Sequence, residues 1–238
     1  MRPLSTLLLR LSRRAVVLAV AFVLVAATPA LAAGPGAYGI APGTGTFAVL
    51  TTNNLATETT NDQMFYLSTS GTTARTRLPF PLRVYNATFR NIAISSNGNV
   101  QFGITSPGGN PTEFFECLPT TTDFGAATAF VLWGIGLRYG GVGQGIFLRT
   151  QGTSPNRTFT VSWQGEFQVS AEAPANAQVT FRENSRTITY TYGETVPQNL
   201  VTIGIQSRFR DSYSERFCDG QGRYPTNGTR LILGYVTG

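Results

Sequence analysis

The 238-residue chain contains no histidine and no lysine, and these two absences exclude whole classes of chemistry. Without His there can be no Ser-His-Asp or Cys-His catalytic device and no His-ligated zinc, iron or copper site. Without Lys there can be no Schiff-base chemistry and no lysine-activated nucleophile. The sequence also lacks a G-x-x-x-x-G-K-[ST] motif, and the glycine-rich stretch Tyr139–Gly145 indicates a loop, so we expect no bound nucleotide.

Acidic residues are scarce, with 12 Asp and Glu in the whole chain. Most of them fall in predicted turns, whereas a glycosidase needs two acids that face each other across a cleft. We therefore expect no catalytic residues and no enzymatic activity. Beyond residue 32 the chain has 14 Arg against 12 acids, and no basic run is interleaved with aromatic residues. This distribution argues against a nucleic-acid partner.

The first 32 residues have the three parts of a secretory signal peptide. Four Arg residues precede an apolar run, Ala15–Ala27, and the small residues Ala30 and Ala32 supply a cleavage site. We predict cleavage after Ala32, a secreted or cell-surface protein, and no stable membrane insertion of the mature chain. The alternative is an uncleaved membrane anchor, because the uncharged stretch approaches spanning length.

The rest of the chain shows the pattern of an all-β protein. Residues 33–62 predict an extended lead-in rich in Gly, Thr and Asn, with one strand at Thr46–Leu50. Residues 63–238 predict a single domain of short alternating runs broken by turn residues, which indicates an antiparallel sandwich or barrel. Of the two we predict a jelly-roll-like antiparallel β-sandwich of about ten strands. The predicted strands are Met64–Ser68, Leu82–Tyr85, Thr88–Ile94, Asn99–Gly103, Ala129–Trp133, Gly145–Arg149, Thr158–Gln164, Gln178–Glu183, Thr187–Tyr192, Val201–Gln206 and Arg230–Val236.

The sequence Ser-Ser-Asn-Gly-Asn at residues 95–99 separates two apolar runs and predicts a β-hairpin. A two-residue loop at the Asn-Gly pair would divide the apolar side chains between the two faces of the sheet. A three-residue loop, Ser96-Asn97-Gly98, pairs Ile94 with Val100 and keeps the apolar side chains of both strands on one face. We therefore predict the three-residue loop, with Gly98 at positive φ.

A longer segment around this turn carries a family resemblance. LPFPLRVYNATFRNIAISSNGNVQFG (Leu78–Gly103) resembles the opening of nidogen-like and related bacterial extracellular β-sandwich domains, and the similarity continues in order to Ser207. The resemblance implies a non-catalytic module of secreted or cell-surface proteins that serves in binding or adhesion. Related sequences carry acids directly after a Trp, but Gly134 follows Trp133 here, so no role of those acids is transferred.

The two cysteines, Cys117 and Cys218, predict a disulfide, because cysteines of exported proteins usually pair. The bridge would bring two long polar loops together. These loops carry five acids and four arginines: Glu113, Glu116, Asp211, Glu215, Asp219, Arg208, Arg210, Arg216 and Arg223. One interpretation is a set of exposed salt bridges. The other is a calcium or ligand site built from Asp211, Glu215 and Asp219, since hard cations prefer carboxylate oxygens.

The large aromatic residues have two possible roles. Trp133 and Trp163 end apolar runs, which is typical of core packing. They could instead form a stacking platform for sugar rings together with Tyr139, Tyr190 and Tyr192. The alternation of the tyrosine-bearing strand favours burial of these rings, with their hydroxyl groups reaching the rim of the sandwich.

Three functions are consistent with these features. The first is a secreted, non-catalytic binding or adhesion module for an extracellular glycan or protein partner. The second is a self-assembling cell-surface subunit, in which the lead-in Gly34–Asp62 donates a strand to a neighbouring copy. The third is a carboxylate-based carbohydrate-active enzyme. Calcium is the one cofactor that the acids suggest, and the sequence does not require it.

Overall fold

The computed structural model describes residues 36–50, 63–65, 73–103, 116–120, 124, 127–170 and 173–237. Within these residues the chain forms sixteen strands, all paired antiparallel, and most of them belong to two seven-stranded sheets. The described part of the chain contains no helix that could span a bilayer. The predicted all-β antiparallel sandwich is confirmed.

Sheet I has the strand order β1-β16-β12-β11-β9-β8-β2, sheet II has the order β15-β14-β13-β6-β5-β4-β3, and β7 pairs with β10. The strands are β1 (Tyr38–Thr44), β2 (Gln63–Phe65), β3 (Thr73–Val84), β4 (Ala87–Ser95), β5 (Asn99–Phe102), β6 (Thr128–Val131), β7 (Leu137–Arg138), β8 (Gly145–Gln151), β9 (Thr158–Gln164), β10 (Glu166–Phe167), β11 (Ala175–Arg182), β12 (Ile188–Thr195), β13 (Thr202–Gln206), β14 (Tyr213–Cys218), β15 (Gln221–Gly222) and β16 (Thr229–Tyr235).

Every second residue of a strand points inward, and these inward-facing side chains form the core between the two sheets. Aromatic rings join the two sheets across it. Phe102 and Phe130 of sheet II each meet Phe181 of sheet I edge to face, with ring centroids 5.7 and 5.8 Å apart. This geometry is the one that the ring quadrupoles favour, and it ties the two sheets into one hydrophobic core.

The predicted lead-in contains the first strand of the sandwich. β1 pairs with β16 from Tyr38↔Tyr235 to Thr44↔Thr229, and the Tyr38 side chain is fully buried. Gly39, Pro42 and Gly43 hide the strand pattern of β1 in the sequence, and an edge strand tolerates both residue types. The boundary predicted at residue 63 is therefore too late, while residues 51–62 lie outside the described residues.

The strand predicted at Thr46–Leu50 is wrong, because this segment crosses the outer face of sheet I instead of joining it. Leu50 N–H donates to Gln164 Oε1, and Gln164 Nε2 donates to the Leu50 carbonyl, both at 2.7 Å. Gln178 Nε2 donates to the Ala48 carbonyl. Side-chain amides of sheet I thus take the place of a neighbouring strand for this segment.

A second crossing segment, the described residues between 116 and 127, covers the outer face of sheet II. Thr120 N–H donates to Gln206 Oε1 at 2.9 Å, and Gln206 Nε2 donates back to the Thr120 carbonyl at 3.4 Å. Leu118 and Phe124 form a small buried cluster with residues of β6. Gln206 is fully buried beneath the segment, so it satisfies backbone groups that would otherwise be desolvated without a partner.

The predicted disulfide is confirmed and fastens this second segment. Cys117 and Cys218 are bonded, with their Cα atoms 5.5 Å apart and 101 positions separating them in sequence. Cys218 is the last residue of β14, so the bridge joins the crossing segment to the end of a sheet II strand.

The hairpin between β4 and β5 has the predicted register. Ile94 pairs with Val100 and Ser95 with Asn99, which leaves a three-residue loop, and Gly98 has a φ of +70°. The sequence did not predict that this polar loop is buried, yet Ser96 and Asn97 are 0% exposed. A hairpin loop normally meets solvent, so its polar groups need partners inside the protein.

Four hydrogen bonds satisfy carbonyl groups of the loop and of the residue before it. The N–H groups of Leu132 and Trp133 both donate to the Gly98 carbonyl, at 3.0 and 3.2 Å. Tyr139 Oη donates to the Ser96 carbonyl at 2.7 Å, and Trp163 Nε1 donates to the Ser95 carbonyl at 2.8 Å. The Trp133 side chain covers Gly98 so closely that a Cβ at position 98 would lie 2.9 Å from it.

Gly98→Ala is therefore expected to lower the free energy of unfolding by about 2–4 kcal/mol, from the left-handed backbone and the overlap with Trp133 together. Gly143→Ala is the matched control, because Gly143 also has a positive φ, +80°, but open space around it. The control should lose only about 1–2 kcal/mol. Urea denaturation of both variants measures the difference, and equal losses would contradict the close contact.

Removing the disulfide with Cys117→Ser and Cys218→Ser together should lower the free energy of unfolding by about 4–5 kcal/mol, since the bridge closes a loop of about 100 residues. Denaturant unfolding of the oxidised wild type and of the double variant tests this value. A loss below about 1 kcal/mol would show that the crossing segment is held without the bridge.

An ion pair joins the turn between β8 and β9 to the turn between β11 and β12. Arg157 Nε donates to Glu183 Oε2 at 2.8 Å and Arg157 Nη2 to Glu183 Oε1 at 2.7 Å. These hydrogen bonds lower the pKa of the Glu183 carboxyl group to about 2.

Because the pKa of Glu183 is lower in the folded chain, its contribution to stability is complete above the ordinary pKa of 4.5 and is lost as the pH falls toward about 2. Glu183→Gln should therefore flatten the stability–pH curve in that interval. Thermal melting between pH 2 and pH 6 checks the curve, and a variant curve as steep as that of the wild type would contradict the assignment.

Candidate ligand-binding cleft

The acids proposed for a cation site are dispersed along one strand. Asp211 precedes β14, Glu215 lies within it and Asp219 follows it. β14 lies between the first and last of these acids, and at about 3.3 Å per residue its six residues span roughly 17 Å. The prediction of a long polar loop is wrong for residues 213–218, which pair with β13.

Three of these acids accept hydrogen bonds from nearby groups of the protein. Asp211 accepts one from the Ser207 hydroxyl, and Glu116 accepts one from the Thr120 hydroxyl at 2.8 Å. Glu215 accepts one from the Leu118 N–H at 2.6 Å, although burial raises the pKa of its carboxyl group.

The described acids nevertheless do not form a shared site. Asp219 is exposed, and Glu113 lies outside the described residues. Among the described residues, the one close group of three potential metal ligands is Cys117, Glu215 and Cys218, whose two sulfur atoms form the disulfide.

The aromatic residues considered as a sugar platform are core residues. Trp133, Trp163, Tyr190 and Tyr192 are 0% exposed, which confirms the core interpretation. The predicted rim position of the hydroxyl groups is wrong. Tyr190 Oη donates to the Gly204 carbonyl of sheet II at 2.9 Å, and burial raises the pKa of this phenol well above its ordinary value. The opposing sheet supplies acceptors that the sequence does not reveal.

An open cleft of about 430 Å³ lies at one end of the sandwich. Its walls come from the end of β1, from β14, from the residue after β15, and from the turn before β16. The lining residues are Pro42, Gly43, Thr44, Arg216, Arg223, Tyr224, Thr226, Asn227, Gly228 and Thr229. The volume falls within the range of about 300–1,000 Å³ that is usual for ligand sites, and no acid is present in this described lining.

A β-bulge directs Arg216 into the cleft. Ile203 and Gly204 are consecutive in β13, but they pair with Phe217 and Glu215, so Arg216 is an extra residue without a partner in β13. Bulges of this kind turn a side chain away from the regular alternation of a strand and recur beside functional sites. Gly222 has a φ of +96°, and a Cβ there would overlap the Arg216 carbonyl, so β15 closes tightly over the bulge.

The electrostatic environment of Arg216 is unfavourable for its charge. The residue is half-buried, and its Nε atom is buried without a hydrogen-bond acceptor in the described part of the chain. Burial, followed by the positive charge of Arg223, lowers the pKa of the Arg216 guanidinium group. The cleft therefore contains two cationic side chains, and that of Arg216 is partly removed from water.

The opposite wall of the cleft is rigid because its turn is bonded to β12 and to the residue that follows β1. Gly228 N–H donates to the Tyr192 carbonyl, and Gly45 N–H donates to the Gly228 carbonyl, both at 3.0 Å. Within the turn, Thr226 N–H donates to Thr229 Oγ1 at 2.9 Å. Tyr224 Oη donates to the Val196 carbonyl at 2.6 Å, which fixes the ring beside the two arginines.

A family model described as NIDO related matches residues 37–228, which is most of the chain. The chain belongs to the NIDO-related family. The match begins at the residue before β1 and so includes the strand that the predicted lead-in obscured. No curated protein and no solved structure matches the chain. Membership of this nidogen-like family, together with the disulfide, indicates an extracellular module.

The sequence of this NIDO-related domain predicted the two cleft arginines only as members of a cluster that also contains acids. The Asp-Gly pair at 219–220 signals the tight turn between β14 and β15, which places Arg216 and Arg223 on its two sides. The bulge itself has no such signal, since it depends on how many residues of β13 oppose β14. Sequence reasoning therefore located the two residues without separating them from the nearby acids.

Proposed function

We propose that this NIDO-related protein is a secreted, non-enzymatic module that binds an extracellular polymer or protein partner in the cleft that contains Arg216 and Arg223. The observation that carries the proposal is the bulge-directed Arg216 side chain in an open cleft with rigid walls. A site whose walls are fixed before binding spends less free energy on ordering, so preorganisation favours a binding role.

Secretion is supported by three features of different kinds. The N-terminal segment has the pattern of a signal peptide, the two cysteines are bonded, and the family is nidogen-like. Disulfides persist mainly in oxidising compartments outside the cytoplasm.

A non-enzymatic role is supported by the chemistry of the cleft. Its described lining offers guanidinium groups, hydroxyl groups, an amide and a phenol whose pKa is raised to about 12. None of these groups is a base near neutral pH, and the chain has no His or Lys to act as one. Such a set can hold and orient a ligand without transferring a proton.

The strand pairing of residues 38–44 weakens the argument for self-assembly. Residues 38–44 of the supposed donor segment already pair with β16 of their own chain. Donation of that strand to a second copy would require its removal from the sheet and exposure of the buried Tyr38.

An array of glycans and extracellular matrix proteins, probed with residues 33–238, tests the proposed function. Wild type should bind at least one component and leave it chemically unchanged, and Arg216→Ala with Arg223→Ala should reduce that binding at least tenfold. A wild type that binds nothing, or a bound component that is turned over, would contradict the proposal. Size-exclusion chromatography of the same sample distinguishes assembly, which would appear as oligomers independent of the cleft variants.

A further inference from the structure

We infer that the cleft binds an anionic saccharide, a sugar residue with a carboxylate or sulfate group whose oxygen atoms lie between Arg216 and Arg223. The inference rests on the proposed function and names the class of ligand for the same cleft. It follows from the charge balance of the cleft, from the buried Arg216 Nε atom and from the polar character of the remaining lining.

The charge balance distinguishes these two arginines from the ion-paired arginines elsewhere in the structure. Arg138 pairs with Glu166 at 2.6 Å, and Arg157 pairs with Glu183 at 2.7 Å. No carboxylate stands among the described residues that line the cleft with Arg216 and Arg223. A bound anion would supply the missing negative charge.

The Arg216 Nε–H group is the candidate donor for that anion. It is buried without an acceptor within the described residues, and an unsatisfied buried donor is costly. An oxyanion that accepts from Nε–H and from an adjacent guanidinium N–H would form the two parallel hydrogen bonds that arginine makes with carboxylate and sulfate groups. The negative charge of the ligand would thus offset both the cost of desolvating Arg216 and its repulsion by Arg223.

The other residues that line the cleft suit a sugar better than an acidic peptide. Thr44, Thr226, Thr229 and Asn227 offer hydroxyl and amide groups that both donate and accept, as the hydroxyl groups of a sugar require. The apolar side chains of the lining are those of Pro42 and the ring of Tyr224. A peptide would find no aliphatic pocket for its side chains, whereas a polysaccharide could continue past the exposed Thr44 and Asn227.

Isothermal titration calorimetry with oligogalacturonate and a sulfated galactan oligosaccharide, each compared with an uncharged counterpart, tests the inference. Fully methyl-esterified oligogalacturonate and unsulfated galactan are the counterparts, because they keep the sugar backbone and lack the anionic group. At least one charged oligosaccharide should bind at least tenfold more tightly than its counterpart, and its affinity should fall as NaCl is raised from 20 to 300 mM. Comparing the affinities for the two charged oligosaccharides shows whether the cleft prefers a uronate carboxylate or a sulfate group.

The variants assign that binding to the cleft. Arg216→Gln and Arg223→Gln should each weaken it at least tenfold, and Arg216→Lys should also weaken it because lysine has no Nε–H donor at that position. Arg182→Gln is the control, since Arg182 is exposed at the opposite end of sheet I and its loss changes the net charge equally. Melting temperatures verify folding, and the exposed Arg223 keeps the test valid if Arg216 variants do not fold.

Several outcomes would overturn the inference. Equal binding of charged and uncharged oligosaccharides, or binding unaffected by the cleft variants, would contradict an anion site. Tighter binding of hexaglutamate peptide than of either charged oligosaccharide would replace the saccharide by an acidic peptide. If the array identifies a neutral glycan or a protein while both charged oligosaccharides fail to bind, the inference falls and the proposed function stands. If wild type binds nothing in either experiment, both fall.

Discussion

The contact between Gly98 and Trp133 holds together the end of the sandwich on which the cleft depends. Trp133 covers the buried hairpin loop, and its ring also stacks with Tyr224 at a centroid distance of 6.0 Å and an angle of 29°. Tyr224 is a wall of the cleft and meets Phe217, the neighbour of the bulge residue, edge to face at 5.2 Å. A continuous series of packed groups therefore leads from the turn to Arg216, so a substitution at Gly98 would act on the cleft through Trp133.

On the outer face of each sheet, a polar side chain binds the segment that crosses that face. Gln164 of sheet I and Gln206 of sheet II each bond both the N–H and the carbonyl of one residue in a crossing segment. Each glutamine satisfies the backbone of a segment that has no strand partner there. The disulfide adds a covalent link at Cys218, two residues after Arg216, and so restrains the strand that carries the bulge.

The sequence predicted those features that local pattern controls. The register at Ile94 followed from the period-two alternation, and the disulfide followed from the number of cysteines. β1 was missed because its glycines and proline hide the alternation, although pairing with β16 suffices to hold it. The proposed acid cluster failed because proximity in sequence to a disulfide does not bring side chains together when a strand extends between them. The Arg216 bulge depends on pairing between two strands, which one strand's sequence does not specify.

The most direct measurement of the central claim is an NMR titration of the Arg216 Nε–Hε signal, assigned by its disappearance in Arg216→Lys. On addition of whichever charged oligosaccharide binds, the account predicts that this signal shifts and that its hydrogen exchange with water slows. The uncharged counterpart should leave the signal unchanged. A saturating charged oligosaccharide that binds without altering the Arg216 signal would contradict an oxyanion held by this side chain.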